Sequence, residues 1–313
     1  MSRPATFEEF IGQADAVLQL KTLAAAALLR GEAPDHLLLT GPPGLGKTTL
    51  AHLLAGAVGV ELLVSSGPAL RSVSELVAVL TALPPGGLLF IDEVHRMPVN
   101  VEEVFYGALE DFKLTLGVGK TGERRSLPLP LPRFCCIGAT TQLGLLTAPL
   151  RSRFGVTVEL SYYGTEELGE IIRREAQRLE LELSTEAQEE LARSARGTPR
   201  LALNLTQRLR DFCLVRGGIV ADLTAARAAL RQQGITRLGL NRVDRTLLSV
   251  VRDVYRGGPV GISALASTLA VTPGTLAEVH EPHLLACGLL ARTQRGRMLT
   301  DAGRAYLREL GTC

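Results

Sequence analysis

Three short runs in the first half of the chain, Leu37-Leu38-Leu39, Leu88-Leu89-Phe90-Ile91 and Phe134-Cys135-Cys136-Ile137, are apolar without a polar interruption. A strand that reads this way is buried on both faces, as in a parallel sheet. The first run feeds the segment GPPGLGKT at residues 41 to 48 and then a helix-compatible stretch. The second ends in Asp92-Glu93-Val94-His95 and the third in Gly138-Ala139-Thr140-Thr141. In doubly wound α/β sheets ligands sit at the carboxyl ends of the strands, where these polar segments fall.

From Tyr162 the pattern turns helical. Thr165-Glu166-Glu167 opens one segment, Ser184 opens another with Leu183, Ala187 and Leu191 at near-helical spacing, and Arg196-Gly197-Thr198-Pro199 breaks it before a third holding Leu201, Leu205 and Leu209. This bundle suits either a lid that moves with ligand state or a rigid packing module. Residues 235 to 313 read as three helices and a β-ribbon, Leu289–Arg292 and Met298–Thr300 joined by Gln294–Arg297, the order of a winged helix. Between residues 113 and 133, Leu114, Leu116 and Val118 alternate with Lys113, Thr115 and Gly117, which predicts a hairpin, either projecting or packed on its own domain. At 313 residues the chain exceeds what one core usually supports. The expected division is residues 1–161, an α/β domain with the inserted hairpin; 162–234, a small helical domain; and 235–313, a winged-helix domain.

Composition adds limits. The net charge of +2 leaves any nucleic-acid contact to a local patch, and 4% aromatic residues with no Trp argue against stacking platforms for single strands. Residues 242 to 309 hold nine arginines against six acids, with Arg292, Arg295 and Arg297 together on the ribbon. Those three suit sequence-independent phosphate contacts, or simply a solvated turn. Cys135, Cys136, Cys213, Cys287 and Cys313 show no metal-ligand spacing. No apolar run has the length of a membrane span and the N-terminus lacks the form of a signal peptide, so a cytoplasmic protein without membrane contact is expected.

The chemistry concentrates on the strand ends. A strand, a glycine-rich turn and a helix form a phosphate-binding P-loop: Gly41, Gly44 and Gly46 let the backbone N–H groups of the loop turn inward, Pro42, Pro43 and Leu45 complete the cradle, Lys47 reaches the β- and γ-phosphates, and the Thr48 hydroxyl can ligate Mg²⁺. The expected ligand is ATP or ADP with Mg²⁺. Asp92 would hold the ion and Glu93 would orient or deprotonate the attacking water. Thr141 would contact the γ-phosphate or that water, or merely cap its strand. Arg153, in Arg151-Ser152-Arg153, suits an arginine finger or a surface ion pair.

These features in this order resemble the AAA+ ATPases. RPATFEEFIGQ (3 to 13), DHLLLTGPPGLGKTTLAH (35 to 52), LFIDEVHR (89 to 96), IGATT (137 to 141), PLRSRFG (149 to 155), SARGTPR (194 to 200), GGPVG (257 to 261) and RTQRGR (292 to 297) are similar to the RuvB family, motors of Holliday-junction branch migration. The resemblance implies a homo-hexameric ring that hydrolyses ATP at subunit interfaces and translocates duplex arms of four-way DNA, with RuvA and the resolvase RuvC as partners. By motif, Thr49 joins Lys47 and Thr48 at the phosphates, Thr141 is sensor 1, Arg153 acts in trans, and Arg200 is the sensor 2 arginine. Arg3, Ile11 and Tyr163 would lie near the adenine, and the hairpin would dock on RuvA.

Some positions depart from the family pattern: the loop VGKTGERRS, Gly107, Gln142 after GATT, and Gln294 in the ribbon. They bear on partner docking and DNA grip more than on hydrolysis. A clamp loader should carry Ser-Arg-Cys where this chain has Ser152-Arg153-Phe154, and an unfoldase should have an aromatic pore loop, whereas residues 66 to 87 hold no aromatic. A DNA-binding regulator switched by ATP would need neither Glu93 nor Arg153.

Overall fold

The computed structural model describes residues 3–118 and 125–310. The second GKT of the sequence (residues 119–121) and the hairpin tip lie outside the described residues. The chain divides into two compact units, the first running to Glu167 and taking in Thr198–Arg200, the second holding Leu168–Gly197 and the chain from Leu201 onward.

The first unit is a parallel sheet wrapped by helices. In chain order it contains α1 (Ala14–Arg30), β1 (Leu37–Thr40), α2 (Lys47–Val58), β2 (Leu62–Ser66), α3 (Val73–Thr81), β3 (Leu88–Asp92), α4 (Val99–Glu110), β4 (Lys113–Val118), β5 (Arg125–Pro130), β6 (Cys135–Thr140), α5 (Ala148–Ser152) and β7 (Val156–Glu159). The five-stranded sheet has the order β2-β3-β6-β1-β7, all neighbours parallel. The apolar runs predicted as strands are its three central members, each buried along its length apart from Asp92 at the end of β3, and the third extends to Thr140. The order brings the carboxyl ends of β1, β3 and β6 side by side, with Thr40 opposite Thr140 and Ile91 opposite Gly138. Beneath one face lies a core that includes Leu38, Ile91, Val101, Phe105, Phe134 and Phe154. α3 starts on a capping box, with Ser72 and Glu75 each satisfying the other's backbone N–H.

β4 and β5 form the expected antiparallel hairpin, with Lys113 opposite Pro130 and Leu116 opposite Leu127. Leu114 is buried at its base, whereas Leu127 is 56% exposed. The N–H of Leu131 donates across the hairpin to Phe112 O at 2.8 Å. Because alternate backbone groups face the partner strand, the nitrogens of Pro128 and Pro130 point to the free edge.

The second unit carries most of α6 (Thr165–Arg178), then β8 (Glu182–Leu183), α7 (Thr185–Ser194), most of α8 (Pro199–Val215), β9 (Val220–Ala221) and α9 (Leu223–Gln232). Ser184 caps α7 by accepting from Ala187 N–H, as its position in the sequence suggested. There follow α10 (Arg242–Asp253), α11 (Ile262–Leu269), α12 (Pro273–Thr275), a π segment Leu276–His280 continuing into α13 (Glu281–Ala286), the ribbon β10 (Leu290–Thr293) and β11 (Gly296–Leu299), and α14 (Asp301–Leu310). The sequence reading ended at the ribbon and missed α14, whose Tyr306 and Leu307 complete a core with Leu247, Leu284 and Leu299. It also made the turn too long: Gly296 and Arg297 are strand residues, paired with Thr293 and Arg292.

A buried ionic cluster ties the helical segment to the winged helix. Asp244, fully buried, accepts from Arg196 Nη2, from the Asn241 N–H at 2.8 Å and from His280 Nδ1 at 2.6 Å. Burial would raise its pKa, but the His280 bond and the Arg196 charge outweigh it and hold the carboxyl below its ordinary value. Among the described residues no single helix is long and apolar enough to cross a membrane.

Candidate nucleotide site

The loop between β1 and α2 packs so closely against its neighbours that glycine is required at two positions. Gly41 has φ +134°, and a Cβ there would sit 2.4 Å from Leu160 O; Gly46, at φ +105°, lies on the ring of Phe10. α2 begins at Lys47 and its first backbone bond beyond the cap is Leu50 N–H to Gly46 O at 2.9 Å. The N–H groups of Lys47, Thr48 and Thr49 therefore have no acceptor within the helix. Such a helix start favours anions.

Lys47 is buried, and its Nζ donates to Gly41 O at 2.7 Å and Pro42 O at 2.9 Å. Burial lowers its pKa, opposed by the charges of Glu93 and Asp92 and assisted by that of Arg200. The ammonium is thus bonded to the loop and lies within the field of the acids at the end of β3. Thr48 stands one residue on, at the start of the helix.

Asp92 ends β3, and Glu93 follows at φ +48°, a left-handed conformation that is strained for a residue with a Cβ. Its Oε2 accepts from the Thr141 hydroxyl at 3.1 Å and lies 3.3 Å from His95 Nδ1. The same His95 nitrogen is 2.9 Å from Thr140 Oγ1, which also accepts from the Gln142 N–H at 3.0 Å. His95 was visible in the sequence only as part of the run after β3, and its contact with Glu93 was not foreseen. The donor set fits a hard cation: Thr48 and Asp92 offer oxygen, and among the described residues no cluster of three or more His, Cys, Asp or Glu could hold a metal alone. Mg²⁺ is ordinarily held this way, by one or two protein oxygens completed by phosphate oxygens and water.

Other sequence-predicted residues surround the loop. Arg200, exposed at the start of α8, donates its backbone N–H to Gly44 O at 3.4 Å. Tyr163 is buried, donates its hydroxyl to Leu45 O at 3.3 Å and packs where a Cβ on Gly12 would lie. Gln13 grips the backbone of Ser161 with both amide atoms, at 2.6 and 3.2 Å, so the N-terminal segment carrying the half-buried Ile11 is fastened beside the loop. Arg3 is exposed, and its charge, after burial, lowers the pKa of His52 on α2.

Arg153 stands apart from this cluster. It lies over the ring of Tyr106 and pairs with Glu110 at 2.9 Å. In the second unit, Arg292 and Arg295 are exposed at the ribbon tip. Arg297 differs: only 12% exposed, it makes a two-pronged bond to Glu281 at 2.8 and 2.9 Å.

Residues 2–160 match the Holliday junction DNA helicase RuvB P-loop domain, residues 163–236 the RuvB AAA lid domain and residues 237–308 the RuvB C-terminal winged helix domain. The chain belongs to the RuvB family. The Holliday junction branch migration complex subunit RuvB of Thermotoga maritima is 44% identical over 309 residues, 98% of this chain and 92% of that one. RuvB of Anaeromyxobacter sp. (strain K) is 48% identical over 305 residues, 97% and 89% of the two chains. Among solved structures, the Thermotoga maritima RuvB Holliday junction branch migration motor superposes with a TM-score of 0.88 at 43% identity, covering 98% of each chain. The RuvB fold therefore extends through all three segments, and the chain is an AAA+ ATPase whose P-loop lies in the matched P-loop domain.

Proposed function

We propose that this chain is an ATP-driven motor that, with RuvA, branch-migrates Holliday junctions in recombination and repair by translocating duplex DNA. The observation that carries the reading is the convergence of Lys47, Asp92, Glu93 and Thr141 on one sheet edge within a chain matched to RuvB almost end to end. A regulator that only binds ATP has no use for a water-orienting carboxylate held by two neighbours. Its division is 1–161 ATPase, 162–234 lid and 235–313 winged-helix head.

In this reading the loop from Gly41 to Thr49 cradles the phosphates, and Lys47 leaves its two carbonyl acceptors for them. Thr48 and Asp92 hold Mg²⁺, which when bound supplies charge neutralisation for the phosphoryl oxygens. Glu93 takes the proton of the attacking water, while Thr141 fixes its carboxylate. Arg200 senses the phosphates from the lid. Arg3, Ile11 and Tyr163 border the adenine. Arg153 reaches the site of the next copy in a homo-hexameric ring. Arg292 and Arg295 grip DNA phosphates, and Arg297 braces the ribbon through Glu281. The hairpin docks on RuvA, RuvC resolves the junction, and the assembly works in the cytoplasm.

The test is ATP-dependent dissociation of a synthetic four-way junction with the cognate RuvA, with Glu93→Gln as control. Dissociation by the parent and its loss in the control are expected. Hydrolysis without dissociation would sink the motor reading and favour the regulator.

A further inference from the structure

Arg153 has a seat built for it. Its guanidinium carbon lies 4.6 Å from the ring centroid of Tyr106 on α4, Nη1 donates to Pro149 O at 2.7 Å, and Nη2 donates to Glu110 at 2.9 Å. The hydroxyl end of the ring meets Glu102, only 5% exposed. Glu102 Oε1 accepts from the Tyr106 hydroxyl at 2.6 Å and from the Thr147 hydroxyl. Thr147 is also the N-cap of α5, accepting from Leu150 N–H at 3.3 Å, and Arg153 is the C-cap of the same helix.

One buried carboxylate thus fixes both the ring under the guanidinium and the start of the short helix that presents it. The far side is fixed as well. Phe154 is buried against β6, where a Cβ on Gly138 would come within 2.7 Å of its ring. A buried carboxylate is costly unless its lone pairs are used, and here they are used on the two residues that aim Arg153. The contact with Glu110 is of another kind. Glu110 is exposed, and a solvated ion pair of this sort holds little. A phosphate presented from outside can replace Glu110 at Nη2 while the ring contact and the Pro149 bond persist.

We infer that Tyr106 is a positioning residue for the arginine finger, locked by Glu102 and Thr147, and that Glu110 is the exchangeable partner which an incoming phosphate displaces. The inference rests on Arg153 acting on the nucleotide of a neighbouring copy. It concerns the approach of the finger, not the P-loop of the same chain.

Mixed assemblies separate the two. Arg153→Ala subunits keep a complete P-loop but donate no finger; Glu93→Gln subunits do not turn over but carry Arg153. Mixing them is expected to restore hydrolysis in the Arg153→Ala subunits. Adding Tyr106→Leu to the Glu93→Gln donor is expected to lower the restored kcat about 10²-fold at unchanged KM, the size of effect that a misplacement of about 1 Å brings. Tyr106→Phe in the donor keeps the ring face but loses the hydroxyl bond to Glu102, and is expected to restore a rate between those of the Tyr106 and Leu donors. Glu110→Gln in the donor is expected to leave kcat unchanged or raise it.

Full restoration with the Tyr106→Leu donor overturns the inference and leaves the finger reading standing. If the Leu and Phe donors fail alike, the ring face is not what aims Arg153 and the inference falls. No restoration by the unmodified Glu93→Gln donor removes the finger reading, and the inference with it.

Discussion

The hydroxyl of Thr141 donates to Glu93 Oε2 at 3.1 Å, joining the end of β6 to the end of β3. Glu93 sits in a left-handed backbone conformation, so this bond and the neighbouring His95 nitrogen define where its carboxylate points. Thr141→Val keeps the shape and removes the donor. Steady-state ATP hydrolysis should then show kcat lowered by about 10²-fold with KM little changed, the pattern of lost orientation rather than lost binding. An equal loss in nucleotide affinity would place Thr141 on the phosphates instead.

Arg292 and Arg295 are exposed while Arg297 is bound to Glu281, so the three ribbon arginines should separate in experiment. Arg292→Ala with Arg295→Ala should reduce the slope of log K against log salt for duplex binding by about 1.8, at about 0.9 per phosphate contact. Arg297→Ala should instead cost about 3–5 kcal/mol of stability by leaving Glu281 buried and unpaired. Titration by fluorescence anisotropy and thermal unfolding distinguish the two. A salt slope that falls only with Arg297 would reverse the assignment.

Leu127 is the exposed apolar residue of β5, and a lone hairpin has little reason to show it to water. Leu127→Asp should leave basal hydrolysis unchanged and abolish its stimulation by RuvA. Stimulation that survives the substitution removes this face from the docking surface.

Asp244 should make the second unit acid-sensitive. Its folded pKa lies below the ordinary carboxylate value, so its stabilisation is full above the unfolded pKa of about 3.9 and drains away as pH falls through the lower folded one. Thermal unfolding followed downward from about pH 5 should show this limb. In Asp244→Ala the limb should flatten, and stability near neutrality should fall by about 3–5 kcal/mol because Arg196 loses its buried partner. An unchanged limb would assign the acid sensitivity to other carboxylates.

Much of this was legible in the chain because parallel strands buried on both faces admit no polar interruption. Leu37–Leu39 and Leu88–Ile91 announced themselves, and the phosphate loop needs glycine at fixed places. What was hidden depends on side-chain direction and distance. Nothing in the spacing says that His95 turns back toward Glu93, or that Arg297 meets Glu281 sixteen residues away. The same local charge excess that suggested three phosphate contacts counted an arginine that is neutralised within its own domain. Tyr106 was invisible for a similar reason: its value lies in what Glu102 and Thr147 do to it, forty-one residues apart for the hydroxyl pair. α14 was missed because its apolar residues Tyr306 and Leu307 come near the chain end, with too few turns to establish a period.

Pro128 and Pro130 on the free edge of the hairpin limit what can pair with that arm. An edge without those two N–H groups cannot be extended by another strand across them, so backbone pairing, which any sequence can supply, is closed to a partner there. Any partner meeting this edge would have to read side chains such as Leu127. Those can be exchanged one at a time without unfolding the arm, because the hairpin is held by backbone bonds on its inner edge and by Leu114 buried at its base.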